Sequence, residues 1–169
     1  RNLEPAKIGW GSVDVPQHVF NRRWKMKPGT PVPNPLGGTD IAKMNPGVGN
    51  PDLLEPAGPT DPEVSYISIQ AIDGRPLALL ANYSLHYVGD WDNGTISADY
   101  FGRFAAALKE KLDAGPEFVG IMSNGTSGDI NIWDFSGQKE FPKGELAKST
   151  KIANDLADKV LEGLEGVRW

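Results

Sequence analysis

Hydrophobic patterning divides the chain near residue 62. Beyond that point apolar positions fall into regular periods, and before it they do not. Val64-Ser-Tyr-Ile-Ser-Ile-Gln-Ala-Ile72 alternates apolar residues with polar or small ones, the pattern of a half-buried strand. Asp73-Gly74 follows, a strong hairpin signal, and Pro76 then opens a second strand over 77–86. These two strands should pair antiparallel. The second begins as Leu77-Ala-Leu-Leu-Ala81, apolar on both faces, and this predicts a strand buried between layers. It ends on His86, and the chain breaks at Gly89. Phe101, Phe104, Ala105, Leu108 and Leu112 then recur at spacings of three and four, predicting a helix over 99–113 with Ser97 or Asp99 as its cap. Gly115-Pro116 stops it, and Phe118-Val-Gly-Ile-Met122 marks a strand over 117–123. The strand, helix and strand make a βαβ unit. A last helix is expected over 144–164, with Leu146, Ala153, Leu156, Val160 and Leu164 as its apolar face.

Residues 1–62 hold eleven of the fourteen prolines and little periodicity, so they are expected to form an irregular wrap. Trp10, Phe20, Trp24, Met26, Leu36 and Met44 are interspersed there, and disordered segments are poor in aromatic residues, so the wrap should be ordered. Phe20-Asn-Arg-Arg-Trp-Lys-Met-Lys27 sets four cations beside two aromatic rings. That is either a solvated loop with apolar side-chain stems or a lid over a polar or anionic ligand. The expected architecture is therefore an α/β domain: a mixed, mostly parallel sheet flanked by helices, with residues 63–169 as the core and 1–62 as the wrap.

Size and composition narrow this little. At 169 residues the chain suits one domain with a real core, and 39% hydrophobic and 23% charged residues are ordinary for a globular protein. A net charge of -5 without any basic stripe argues against a nucleic-acid partner. No apolar run is long enough for a membrane span. The absence of cysteine removes disulfides, thiolate metal sites and a cysteine nucleophile. The chain opens on Arg1, so it is expected to be processed or to be part of something longer.

Chemistry concentrates beyond the carboxyl ends of the strands, where open α/β sheets place their ligand crevice. His86, one of two histidines, stands there. As a metal ligand it needs partners; Asp90, Asp92, Asp99 and Asp129 are candidate oxygen donors, while His18 lies in the wrap without a metal-binding spacing. The loop Ser123-Asn-Gly-Thr-Ser-Gly-Asp-Ile-Asn131 follows the next strand. Its small residues suit either a nest of backbone N–H groups around an oxyanion or a plain surface turn. It is neither a P-loop nor a G-x-S-x-G elbow.

The order of Asn21-Arg-Arg-Trp24, Asp61-Pro-Glu-Val64, Gly74-Arg-Pro-Leu-Ala78, Asn82-Tyr-Ser-Leu-His86, Ser97-Ala-Asp99 and Gly128-Asp-Ile-Asn131 resembles the neutral/alkaline (non-lysosomal) ceramidase family, over about residues 20–165. Closer still are ceramidase-like bacterial proteins. The resemblance implies a zinc-dependent amidase acting on an N-acyl sphingoid lipid or a related amide. His86 matches a zinc histidine, and Asp99 matches an aspartate after the following loop. Gly128 and Asp129 match the start of the family's Gly-Asp-Val-Ser-Pro-Asn active-site motif. The serine of that motif is Asn131 here, which can donate to an oxyanion but cannot act as a nucleophile. The implied catalytic set is Ser127, Gly128, Asp129 and Asn131; Arg22, Arg23, Trp24 and Asn124 would contact substrate, and Asp99 would orient His86. The remaining zinc ligands would come from the rest of a longer polypeptide. The resemblance also implies a secreted or periplasmic location. The alternative is a non-catalytic member that binds a carbohydrate or other polar ligand through Arg22, Arg23 and Trp24.

Overall fold

The computed structural model describes residues 3–169. In chain order its elements are β1 (Ala6–Asp14), a 3-10 turn (Pro16–His18), β2 (Phe20–Asn21), β3 (Arg23–Met26), β4 (Ala42–Met44), β5 (Leu53–Pro56), β6 (Glu63–Ala71), β7 (Pro76–Tyr83), α1 (Asp99–Lys111), β8 (Val119–Asn124), β9 (Ile130–Asn131) and α2 (Ala147–Leu164). The main sheet runs β1-β6-β7-β8, with a three-stranded sheet β4-β3-β5 and a two-stranded ribbon β2-β9 beside it.

The fold is α/β with a mixed sheet, but it is not mostly parallel. β1 and β6 pair antiparallel, as do β6 and β7; only β7 and β8 are parallel. The β6–β7 hairpin already balances the single parallel pair, and β1 adds a second antiparallel pair that the sequence pattern hides. In Ile8-Gly-Trp-Gly-Ser-Val13 the glycines take the inward positions, so the large side chains point outward and no buried face is legible. Nor is the segment before residue 62 irregular throughout, since five strands lie within it. Proline excludes helix and central strand, yet short strands at edges tolerate it.

The elements of the core follow from their sequences. Gly74, at φ 92°, turns the chain between β6 and β7 in a conformation that side chains resist. Along the sheet, Val64 opposes Tyr83, Tyr66 opposes Ala81, and Ala81 neighbours Met122. This row is buried under α1 and α2 with Phe104, Leu108, Ile152, Leu156 and Val160. Gly120 lets α1 lie close, because a Cβ there would come within 2.9 Å of Ala105 Cα. The α2 helix starts at Ala147 rather than 144, and no residue of its own caps it. The cap comes from Asp90 instead, whose Oδ2 accepts from Lys148 N at 2.8 Å and Ser149 N at 2.9 Å.

The opposite face of the sheet is apolar and open. Trp10, Ile67, Leu80 and Ile121 stand opposite one another across all four strands. Their exposures are 73%, 46%, 42% and 47%, which identifies a second face that nothing among the described residues covers. No helix among these residues is long and apolar enough to cross a membrane.

Candidate functional site

β7 and β8 run parallel in register, Tyr83 beside Asn124, so the chain leaves both strands at the same end of the sheet. His86 lies three residues past β7, and the loop to β9 starts directly after β8. The two segments touch: Ser84 Oγ lies 3.2 Å from Thr126 Oγ1 and accepts from Thr126 N at 3.2 Å. The crevice rule thus places the expected residues at one end of one sheet.

His86 is half-buried and stacks on Tyr87, with ring centroids 4.2 Å apart. Its Nδ1 lies 3.1 Å from the Tyr87 carbonyl. A carbonyl only accepts, so Nδ1 is the donor, and in the neutral ring Nε2 is the nitrogen left with a lone pair. That is the tautomer of a ligating imidazole, oriented through its second nitrogen. Zinc needs further donors, and among the described residues no group of three His, Cys, Asp or Glu side chains is placed to hold an ion. His86 could serve as one such donor, but the described residues do not build the rest of a set around it. His18 is no partner to it. Its Nε2 donates to Asp155 on α2 at 2.9 Å, and burial lowers its pKa to about 4, against the pull of Asp155.

Asp99 does not touch His86 but holds the turn beyond it. Its side chain is buried; Oδ2 accepts from Val88 N at 2.8 Å and Gly89 N at 3.0 Å, and Oδ1 from Tyr100 N at 2.5 Å. Ser97 Oγ accepts from Asp99 N, but the N-cap position of α1 is Ala98 and no side chain caps the helix there, so neither Ser97 nor Asp99 is the cap expected of them. The Asp99 φ of 54° is the left-handed conformation, which aspartate tolerates better than most residues.

The loop over 124–131 is braced rather than open. Gly125 N donates to Tyr83 O, Thr126 N to Ser84 Oγ, and Ser127 N to Gly125 O. Three of the four N–H groups expected to form a nest are therefore engaged. The Gly128 N–H has no acceptor among the described residues. Asn124 Nδ2 donates to Ser127 Oγ at 3.0 Å. Asn131 Oδ1 accepts from Ile132 N at 2.7 Å, which fixes the amide, and its Nδ2 donates to Asn45 at 2.9 Å with a second N–H to spare.

The wrap reaches this loop, as its cations suggested. Asn21 pairs with Ile130, and Arg22 N donates to Asp129 O. Arg23 Nε meets Asp129 Oδ1 at 2.7 Å in an exposed ion pair, so an expected substrate contact and an expected catalytic aspartate are joined to each other. Trp24 Nε1 donates to Asn21 O, while Arg22 Nε is buried without a partner.

Sequence reasoning missed Lys148. It is 3% exposed, its Nζ donates to Ile132 O at 2.7 Å, and it stands over the rings of Trp133 and Phe141 at 3.6 and 3.4 Å from their centroids. Burial first, then the neighbouring Lys139, lowers its pKa to about 7, opposed by Asp90. The signal was its spacing of four from Ile152 and eight from Leu156, which puts a lysine on the apolar side of α2.

The chain has a ceramidase-like fold. Among solved structures it is similar to the neutral ceramidase from Pseudomonas aeruginosa, at TM-score 0.63 and 17% identity over 96% of this chain and 23% of that one. It is likewise similar to a ceramidase solved as a complex with C2, at TM-score 0.65 and 17% identity, with the same coverage of 96% and 23%. The chain thus spans under a quarter of the length of either. No protein-family model and no curated protein matches it.

Proposed function

We propose that the chain is a section of the catalytic domain of an amide hydrolase, with an N-acyl sphingoid or related lipid amide as substrate. The observation that carries this reading is the departure of His86 and the loop over 124–131 from the same end of β7 and β8, within a ceramidase-like fold. His86 Nε2 would be one ligand of a zinc ion, with further polypeptide supplying the other ligands. Bound zinc would supply a water of lowered pKa and a polarised carbonyl.

The chain's own groups position and stabilise. Tyr87 O holds the His86 proton on Nδ1, and Asp99 fixes the turn that follows. The free Gly128 N–H and the second N–H of Asn131 are the donors left for a developing oxyanion. Asn131 supplies no nucleophile, so the attacking group is water. The open apolar face is where the rest of the domain packs, in keeping with a chain covering 23% of its structural neighbours. A secreted or periplasmic location accompanies this reading.

Zinc content measured by elemental mass spectrometry tests it, on the full-length polypeptide and its His86→Ala variant. We expect near one zinc per chain, lost in the variant together with amidase activity. No zinc in either refutes the hydrolase reading. It would leave the binding alternative, which requires a ligand retained after chelation and after His86→Ala.

A further inference from the structure

A cavity of about 860 Å³ lies between the turn after β7, the segment after β9 and the start of α2, and neither His86 nor Asn131 lines it. Trp91, Trp133 and Phe141 form apolar wall, and Asp90 and Lys148 supply polar groups. We propose that this cavity is a carbonyl-capture site, in which the Lys148 ε-amine condenses with an aldehyde or ketone of apolar body to form an imine.

Three observations meet there. Lys148 is withdrawn from water, with its Nζ held by one hydrogen bond to Ile132 O and flanked by two rings. A lysine desolvated in this way beside a second cation is the arrangement that turns an ammonium into a nucleophilic amine. Lys139 is that second cation; its Nζ lies 5.4 Å from the centroid of the Phe141 ring that Lys148 approaches at 3.4 Å. A pKa near 7 accords with this geometry. Asp90 completes the set. Its Oδ2 is engaged at the helix start, and Oδ1 is buried with no hydrogen-bond partner among the described residues, on a residue that lines the same cavity.

The chemistry balances without any co-reactant. The nitrogen lone pair forms a bond to the carbonyl carbon, and the carbonyl oxygen takes up a proton to give the carbinolamine. The hydroxyl then leaves as water, the nitrogen gives up its last proton, and the C=N bond forms. Amine and carbonyl compound become imine and water, with no change of oxidation state.

A structural lysine caged by rings would be the least reactive of the chain's eleven lysines, and a capture site the most reactive. The folded protein is treated at pH 7 with limiting 3-phenylpropanal and cyanoborohydride, which fixes imines, and the sites are ranked by peptide mass spectrometry. We expect Lys148 to be alkylated about tenfold or more faster than the median of the other ten, since the free-amine fraction at pH 7 follows the pKa. A rate at or below that median overturns the proposal. Labelling by formaldehyde but not by the larger aldehyde overturns the role of the apolar walls. The ranking is made on the unaltered protein, so it stands even where a Lys148→Met variant fails to fold.

Discussion

Replacing Asp99 by alanine tests how the site end of the sheet is held. The carboxylate is 4% exposed and accepts three backbone N–H groups, from Val88, Gly89 and Tyr100. Hydrogen bonds to a charged group are worth about 1.5–3 kcal/mol each, but three such values do not simply add. Gly89 is exposed, so its N–H recovers water after the change. Val88 and Tyr100 are buried, and their N–H groups do not. Removing a buried charge also returns its own desolvation cost. The balance is a loss of about 3 kcal/mol, or about 6–12 °C in Tm for a domain of this size. Asp99→Asn keeps one oxygen for Val88 and Gly89 but turns an N–H2 group against Tyr100 N, so it should lose about 2 kcal/mol. Urea titrations of the three proteins give the ordering, and hydrogen exchange should show protection lost first at Val88 and Gly89. A loss under about 1 kcal/mol for Asp99→Ala, or unchanged exchange at Val88, would refute the reasoning.

Other outcomes follow from the same structure. Burial lowers His18 to about 4 from 6.5, so the unfolded chain binds the proton first; the stability this provides is complete above about pH 6.5 and is lost as pH falls through about 4. Between pH 7.5 and 4.5 the wild type should therefore lose about 2–3 kcal/mol that a His18→Asn variant does not, measured by urea denaturation at both pH values. Gly120→Ala should lose about 1–3 kcal/mol by overpacking, because the new Cβ meets Ala105 Cα at 2.9 Å and the α1 backbone cannot yield locally. An unchanged urea midpoint would mean that α1 moves as a body.

Much of the framework was determined by the sequence alone. The alternation over 64–72, the Asp-Gly turn, the apolar run into β7 and the stripes of both helices each describe local geometry, and each appears within a few residues of its expected bounds. The linear pattern also put His86 near the carboxyl end of a core strand, although β7 stops at Tyr83, three residues before it. The tertiary structure decided what depended on distant partners. β1 became an edge strand because β6 offered a ladder, with Val167 and Trp169 lying over Gly9 and Tyr66 over Gly11, though its outward Ile8 and Trp10 gave no buried period. Asp90, which looked like a metal donor, caps a helix 58 residues on, and that required the turn after β7 to meet the start of α2. The loop over 124–131 reads as a nest of free N–H groups, yet Tyr83 and Ser84 engage two of them once β7 and β8 lie side by side. Lys148 is an ordinary first-turn lysine until Trp133 and Phe141 fold over it. A hydrogen bond, an ion pair or a desolvated amine depends on which groups share a space, and hydrophobic period fixes the face of an element but not the neighbour that meets it.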